Sequence, residues 1–296
     1  MTFKSGFVTI IGRPNVGKST LSNSIAGGKI SIISDKPQTT RNAIKTIVNR
    51  EDSQIVFIDT PGIHKPKNKL GEYMVSNAVA TFNEVDVILY MVEAFDEKPG
   101  PGDLYIIEQL KTIQTPVFLV INKIDLIEKK QLLSLISTYK ELMDFKAYIP
   151  VSAKNNEGID VLLRQIGEYL PEGPRYFPED MVTDQPERLL VSELIREKVL
   201  HLVSDEIPHG VGVDVDSFKE REGKDIIDIE ATIYCERDSH KGILIGKEGK
   251  MLKRIGTLAR GEIENLLGTK VFLKLWVKVK PDWRNRGSML KMLGYE

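Results

Sequence analysis

The chain has 296 residues, of which 41% are hydrophobic and 28% are charged. This length corresponds to about two globular domains of roughly 150 residues each, and the apolar content excludes a disordered chain. No apolar run reaches the ~18–20 residues of a membrane span, and the N-terminus shows no basic segment before an apolar stretch, so we expect neither a transmembrane helix nor a signal peptide. The single cysteine, Cys235, excludes an intramolecular disulfide and a cysteine-cluster metal site, and it fits a cytoplasmic setting.

The formal net charge of −1 conceals an uneven distribution along the chain. Residues 241–296 contain 13 Lys and Arg against 5 Asp and Glu, whereas residues 1–240 contain 28 against 37. A basic C-terminal region on an acidic body predicts a polyanionic partner for that region. The alternative is that these lysines are simply solvated on a helix and an edge strand.

Residues 1–170 alternate short apolar runs with segments of helical periodicity. Such a pattern is typical of a mostly parallel sheet with helices on both faces, and ligands bind these sheets beyond the carboxyl ends of the strands. The predicted strands are 7–11, 55–58, 85–92, 117–121 and 147–151. The predicted helices are 18–26, 70–82, 102–113, 129–143 and 158–170.

The segment from Pro171 to Pro186 has four prolines and few periodic apolar residues, which is typical of a linker. Trp276, on the last strand predicted after it, is either a structural residue or a base-stacking platform, and we favour the structural role. The sequence assigns no role to the tail at 281–296. The elements predicted after the linker are a helix at 187–203, strands at 211–218 and 227–235, a helix at 252–266 and a strand at 271–279.

The first predicted strand leads directly into G-x-x-x-x-G-K-S, the pattern of a phosphate-binding loop. In such a loop successive backbone N–H groups surround a phosphate, glycines allow close approach, and the next helix adds its dipole. We expect Lys18 to reach the β- and γ-phosphates and Ser19 to bind Mg²⁺. The residues of the loop are Gly12, Arg13, Pro14, Asn15, Val16, Gly17, Lys18 and Ser19.

A second motif, D-T-P-G, follows the predicted strand at 55–58. A carboxylate at Asp59 can hold Mg²⁺ through water, and the N–H of Gly62 can sense the γ-phosphate. By itself the motif is a plausible turn, but its position after a phosphate-binding loop favours the nucleotide role. The motif comprises Asp59, Thr60, Pro61 and Gly62, and Ile63 follows it.

The motifs N-K-I-D and S-A-K follow the last two predicted strands of this region. The Asp125 carboxylate can accept hydrogen bonds from guanine N1–H and the 2-amino group, whereas adenine offers no such pair of donors. We expect Asn122 and Lys123 to brace the phosphate loop and the base plane, and the Ala153 N–H to meet guanine O6. The two motifs comprise Asn122, Lys123, Ile124, Asp125, Ser152, Ala153 and Lys154.

With these four motifs in order, the sequence resembles the translation-factor class of GTPases. The resemblance implies that residues 37–41 are a first switch, in which Thr40 closes on Mg²⁺ and the γ-phosphate, with Thr39 as the alternative. An ordinary polar loop is the other interpretation of this segment. The resemblance implies GTP and GDP binding and a Mg²⁺ ion held by Ser19, Thr40 and Asp59. The residues expected to take part in GTP hydrolysis are Asn15, Lys18, Thr40, Asp59 and Gly62.

Ile63 occupies the position where Ras-like enzymes have a glutamine that orients the attacking water. An isoleucine cannot do this, so hydrolysis should be slow or depend on backbone groups, a bound cation or a partner. Asn15 favours a cation, because GTPases with this asparagine and a hydrophobic residue after the glycine are often stimulated by K⁺. A loop residue that caps its own backbone is the alternative for Asn15.

The C-terminal region contains I-G-x-x-G at the start of an amphipathic basic helix, and this resembles the clamp of a KH domain. Two glycines allow close approach to a nucleic-acid backbone, and the helix N-terminus favours phosphate. Lysines and arginines on the helix supply sequence-independent attraction to RNA. The residues that we expect to bind RNA are Gly246, Lys247, Glu248, Gly249, Lys250, Lys253 and Arg254.

Taken together, the chain resembles a family of bacterial ribosome-assembly GTPases. The resemblance implies an α/β P-loop NTPase G domain at 1–171, a linker at 172–186, an α+β type II KH domain at 187–280 and a tail at 281–296. It further implies binding near the 3′ end of 16S rRNA, maturation of the small ribosomal subunit, a cytoplasmic monomer and peripheral association with the inner face of the cell membrane. A GTPase whose C-terminal domain docks on protein or anionic lipid, and an ATP-using P-loop enzyme, are the alternatives.

Overall fold

The computed structural model describes residues 2–34, 36, 39–63, 66–96, 98–203 and 207–295. Pro37 and Gln38 of the predicted first switch therefore lie outside the described residues. The chain forms two compact units. The first contains residues 1–33, 40–66 and 74–184, and the second contains residues 34–39, 67–73 and 185–296.

The first unit is built on a six-stranded sheet with the spatial order β2-β3-β1-β4-β5-β6. Strand β2 is antiparallel to β3, and every other neighbouring pair is parallel. The predicted mostly parallel sheet is therefore confirmed. Its strands are β1 (Lys4–Gly12), β2 (Ile44–Asn49), β3 (Ser53–Asp59), β4 (Val87–Glu93), β5 (Val117–Asn122) and β6 (Ala147–Pro150).

Helices cover both faces of this sheet because side chains that alternate along a buried strand point to opposite faces. On one face, Ile10 and Leu89 belong to a hydrophobic cluster that includes Leu21 and Ile166. On the other face, Tyr90 belongs to a second cluster that includes residues of three other helices. The helices are α1 (Lys18–Ala26), α2 (Lys69–Ala80), α3 (Pro101–Leu110), α4 (Lys129–Leu142) and α5 (Ile159–Tyr169).

The second unit has a three-stranded sheet of β7 (Gly212–Glu220), β8 (Ile226–Cys235) and β9 (Lys270–Val279). Strand β7 is antiparallel to β8, and β9 is parallel to it. Helices α6 (Glu187–Leu202), α7 (Asp238–Ile245) and α8 (Lys250–Leu267) accompany the sheet, and α9 (Gly287–Met292) follows it. Val191 of α6, Ile233 of β8 and Ile263 of α8 belong to one buried cluster.

Three elements differ from the sequence-based expectation, because β2, α7 and α9 were not predicted. Helix α7 has eight residues and a single buried side chain, Leu244, so it has too few apolar positions to show a helical period.

The predicted structural role of Trp276 is wrong, since this residue is 54% exposed on the outer face of β9. Trp283, in the tail to which no role was assigned, is instead fully buried, and its indole donates to the Gly210 carbonyl at 2.8 Å. Among the described residues, no helix is both long and apolar enough to cross a membrane.

Candidate functional site

The four sequence motifs of the first unit meet at one edge of its sheet. Strand β1 ends at Gly12, β3 at Asp59 and β5 at Asn122, and the S-A-K motif follows β6. Because β1, β3, β5 and β6 run in the same direction, their carboxyl ends share one edge, where ligands of such sheets bind. The chain therefore gathers its polar loop residues where a parallel sheet is suited to hold a ligand.

The Lys18 ammonium contacts the backbone of the loop between β1 and α1, and the same ammonium could contact a bound phosphate. Lys18 is buried, and its Nζ donates to the Arg13 carbonyl at 2.9 Å and to the Gly12 carbonyl at 3.2 Å. Burial lowers the pKa of the Lys18 ammonium to about 8, and the charges of Asp59 and Glu93 oppose that shift. An ammonium docked on two carbonyls is the group that a phosphate oxygen would recruit.

Gly17 is the position at which the phosphate loop packs directly against Asn122. Its φ of 103° is a conformation that L side chains rarely adopt, and a Cβ here would lie 2.3 Å from Nδ2 of Asn122. Asn122 uses that space to donate from Nδ2 to the Val16 carbonyl at 2.9 Å. The glycine thus brings the N-K-I-D loop into direct contact with the phosphate loop.

Asp59 has the properties of a metal-binding carboxylate. Its side chain is fully buried, and neither carboxylate oxygen has a hydrogen-bond partner among the described residues. Burial raises the pKa of the Asp59 carboxyl, while the positive charge of Lys18 opposes the shift. A buried carboxylate without a partner is costly unless a cation joins it, and the surrounding oxygen donors are those that Mg²⁺ prefers.

The structure distinguishes the two threonines of the predicted switch. The Thr40 hydroxyl lies 2.8 Å from the Ser19 hydroxyl, beside the phosphate loop. The Thr39 hydroxyl instead donates to the Lys36 carbonyl at 2.6 Å. Thr40 is therefore the threonine placed to share a cation with Ser19.

The D-T-P-G segment packs against the phosphate loop through its backbone. The Thr60 hydroxyl donates to the Ile10 carbonyl at 2.8 Å, and the Ile63 N–H donates to the Gly12 carbonyl at 3.2 Å. A Cβ on Gly62 would lie 3.0 Å from the Pro14 nitrogen. Ile63 itself is buried in the apolar core and cannot orient a water molecule.

The N-K-I-D and S-A-K loops are joined by two hydrogen bonds. The Ser152 hydroxyl donates to Oδ1 of Asp125 at 2.6 Å, which fixes the carboxylate expected to select the base. The Ala153 N–H donates to Oδ1 of Asn122 at 3.0 Å. This second bond occupies the amide that we expected to meet guanine O6, so that contact requires the bond to be shared or broken. Ile124 leads from Lys123 into Asp125, and Lys154 is exposed.

In the second unit, the G-x-x-G segment forms a tight turn before α8. Gly246 has a φ of 72°, and a Cβ here would lie 2.7 Å from Cβ of Met251, so this position requires glycine. Gly249 also has a positive φ of 74° but faces open space. Between them, Glu248 adopts a φ of 53°. Lys247, Lys253 and Arg254 are exposed, and the Lys250 ammonium pairs with Glu248 at 3.0 Å.

A groove of about 390 Å³ continues from this turn between α8 and β9. Most of its lining, which combines apolar side chains with two basic ones, was not predicted from the sequence. Residues 249, 253, 256 and 260 recur at the spacing of one helical face, and this signal could have identified the α8 side of the groove. The lining residues are Gly249, Leu252, Lys253, Gly256, Thr257, Arg260, Phe272, Leu273 and Leu275.

Comparison with family models assigns each unit a different class. A model described as 50S ribosome-binding GTPase matches residues 7–123. A model described as KH domain matches residues 206–284. The two matches fall on the phosphate-loop unit and on the unit that carries the G-x-x-G turn.

Curated relatives match the entire chain. GTPase Era of Ruminiclostridium cellulolyticum is 62% identical over 296 residues, covering 100% of this chain and 99% of that protein. GTPase Era of Alkaliphilus metalliredigens is 60% identical over 296 residues, with 100% of both chains covered.

Two solved structures match with 43% sequence identity and cover 99% of both chains. One is an Aquifex aeolicus Era variant bound to GDP and AlF4⁻, with a TM-score of 0.95. The other is Era in complex with MgGDPNP and nucleotides 1506–1542 of 16S ribosomal RNA, with a TM-score of 0.96.

Proposed function

This chain belongs to the Era family of GTPases, and from that membership we propose that it couples GTP hydrolysis in its first unit to binding of 16S rRNA near the 3′ end in its KH domain. The convergence of four nucleotide-binding motifs at one sheet edge carries the proposal. The 16S rRNA fragment in the related complex supports the RNA as partner. We propose that this RNA binding acts in maturation of the small ribosomal subunit.

In the nucleotide site, Ser19, Thr40 and Asp59 would hold Mg²⁺, and the ion would neutralise charge on the β- and γ-phosphates. Lys18 would move from the loop carbonyls to these phosphates. The backbone amides from Gly12 to Gly17 would surround the β-phosphate, and the Gly62 N–H would face the γ-phosphate. The Mg²⁺ complex of the related structure supports this assignment.

Asp125 would select guanine by accepting two hydrogen bonds from its edge, with Ser152 holding the carboxylate in place. We expect Asp125→Asn to weaken GTP binding and to improve binding of xanthosine triphosphate, because the amide can donate to the 2-oxo group. The measurement is competition of each triphosphate against fluorescent GDP. Unchanged preference for guanine over xanthine would overturn the base assignment, and ATP binding equal to GTP binding would favour an ATP-using enzyme.

The apolar side chain of Ile63 cannot orient the water that attacks the γ-phosphate, so another group must position this water. We propose that a K⁺ ion near Asn15 compensates for the missing glutamine, because Asn15 lies in the phosphate loop and the hydrophobic Ile63 follows Gly62. Turnover should be faster in potassium chloride than in sodium chloride, and Asn15→Ala should remove the difference. Equal turnover in the two salts would contradict this role.

RNA would enter the groove between α8 and β9, with its backbone at the G-x-x-G turn and its bases against the apolar floor. Gly249 provides a sharp test because a new side chain there meets no neighbour, and both variants carry the strain of its positive φ of 74°. Gly249→Asp places a carboxylate beside the RNA phosphates, whereas Gly249→Asn has nearly the same shape without the charge. We expect the aspartate to weaken binding of a 16S 3′-end oligonucleotide at least tenfold more than the asparagine does.

Equal RNA binding by the two Gly249 variants would instead favour docking of this unit on protein or lipid. The same pair can be tested with vesicles of anionic lipid, which would report the proposed peripheral association with the inner face of the cell membrane. We place the protein in the cytoplasm as a monomer, and sedimentation of cell extracts would test both statements.

A further inference from the structure

The side chain of Arg13 leaves the phosphate loop and enters a cluster of three carboxylates. Its Nε donates to Oδ1 of Asp103 at 3.0 Å, and its Nη2 pairs with Asp96. Oε2 of Glu93 lies 3.9 Å from the same nitrogen. The three carboxylates raise the pKa of Arg13 against the opposing effect of burial. The guanidinium thus anchors the phosphate loop to these carboxylates instead of facing the proposed nucleotide site.

Asp103 gives this anchor a fixed position. Its side chain is fully buried in the first turn of α3. The Tyr90 hydroxyl donates to its Oδ1 and the Gly100 N–H donates to its Oδ2, each at 2.9 Å. Gly102 leaves room for the arginine, because a Cβ there would lie 3.0 Å from Cδ of Arg13. A buried carboxylate with these donors holds one orientation and requires a cation.

The backbone of Arg13 transmits this position to the ligand-binding groups. The Arg13 carbonyl accepts a hydrogen bond from Nζ of Lys18 at 2.9 Å. Glu93 pairs with Lys123 as well as facing Arg13, and Lys123 donates to the Asn15 carbonyl at 3.2 Å. One cluster of charges therefore holds the first half of the phosphate loop, at Arg13 and Asn15, and joins it to the N-K-I-D loop.

We propose that Arg13 is a positioning residue that holds the phosphate loop in its binding shape before the nucleotide arrives, with Asp103 as its fixed partner. This inference rests on the proposed nucleotide site. A loop that is already shaped loses less conformational freedom when it closes on a phosphate, so its contribution to affinity is larger. That contribution concerns the β-phosphate, which the loop surrounds, and not the base.

The test compares diphosphate with monophosphate. Arg13→Ala should weaken GDP binding about tenfold or more while changing GMP binding less than about threefold, since GMP lacks the phosphate that the loop surrounds. Arg13→Lys keeps the charge but loses the planar fork and should fall between the alanine variant and the natural protein. The measurement is displacement of fluorescent GDP at fixed Mg²⁺ and salt.

Asp96→Asn provides a second route, because Asp96 is partly exposed and its replacement leaves the buried Asp103 in place. It should weaken GDP binding in the natural protein but have little further effect in Arg13→Ala. Glu108→Gln is the matched control, since Glu108 is an exposed α3 residue paired with Lys111, and it should leave GDP binding unchanged.

Equal losses of GDP and GMP affinity, or a lower Tm with an unchanged ratio of the two affinities, would overturn the positioning role. These outcomes differ from a failure of the proposed function, in which the natural protein itself would bind no guanine nucleotide.

Discussion

The absence of a side chain at Gly17 is what permits Asn122 to contact the phosphate loop. We expect Gly17→Ala to destabilise the protein by about 1–3 kcal/mol, because the new Cβ would overlap Nδ2 of Asn122 and the backbone is in a conformation unfavourable for alanine. GDP affinity should fall with it. Thermal unfolding and GDP titration are the measurements.

Gly28→Ala is the matched control for this prediction. Gly28 lies just after α1 and a Cβ there meets nothing within 4 Å. The substitution should leave both the Tm and GDP affinity nearly unchanged. A Gly17→Ala protein that behaves like Gly28→Ala would show that Asn122 can move away at no cost.

At Asp59 the cost of burying the carboxylate outweighs the compensating charge of Lys18. Asp59→Asn removes that buried charge, so without Mg²⁺ the variant should be more stable than the natural protein by about 1 kcal/mol. With Mg²⁺ and GTP the order should reverse, because the variant has lost the carboxylate that the ion would join. Thermal unfolding in EDTA and in Mg²⁺ with GTP measures the difference in stability between the two proteins under each condition. Stabilisation of both proteins to the same extent by Mg²⁺ with GTP would contradict the role in metal binding.

The sequence yields predictions for single site residues where the chemistry depends on local spacing. The phosphate loop and N-K-I-D are each only a few residues long, so a local pattern is enough to propose a role for them. The partners of Arg13 are not visible, because Glu93, Asp96 and Asp103 lie at least 80 residues away along the chain. Only the fold brings them together, and no local pattern marks them.

At the level of elements, buried parallel strands and long amphipathic helices are predictable because their side chains repeat with a regular period. Strand β2 is an edge strand in which polar residues such as Lys45, Thr46 and Asn49 interrupt the apolar pattern. Strand β7 contains a bulge between Val215 and Ser217, where the alternation of faces is broken. Such features depend on the neighbouring strand, so the sequence of one strand does not reveal them.

Trp283 and Trp276 differ in burial, and their replacement tests how much each contributes to stability. Trp283→Ala should destabilise the protein by about 3–5 kcal/mol, because it removes a fully buried indole with a hydrogen bond to Gly210. Trp276→Ala should cost less than about 1 kcal/mol, since its side chain is largely exposed. Chemical denaturation measures both. Equal losses would mean that the outer face of β9 is covered in solution.

At the scale of the whole chain, the uneven charge corresponds to two different ligands. The acidic N-terminal region contains the proposed nucleotide site, where we expect Mg²⁺, Lys18 and backbone amides to balance the negative charge of the ligand. The basic C-terminal region contains the groove whose lining includes Lys253 and Arg260. We therefore expect the affinity for RNA to depend on salt and the affinity for GTP to depend on Mg²⁺, as separate properties of one molecule.

The coupling of these two properties is a measurable free energy. If GTP and GDP favour different states of the protein, RNA affinity must differ between the two complexes, and RNA must change the ratio of GTP to GDP affinity by the same factor. We expect a factor of about five or more, measured with a 16S 3′-end oligonucleotide and a non-hydrolysable GTP analogue at fixed salt. Gly249→Asp should abolish the effect of RNA on nucleotide affinity while leaving nucleotide binding without RNA unchanged. Identical RNA affinities in the two nucleotide complexes would show that the units act independently, because a ligand shifts only an equilibrium between states that it binds differently.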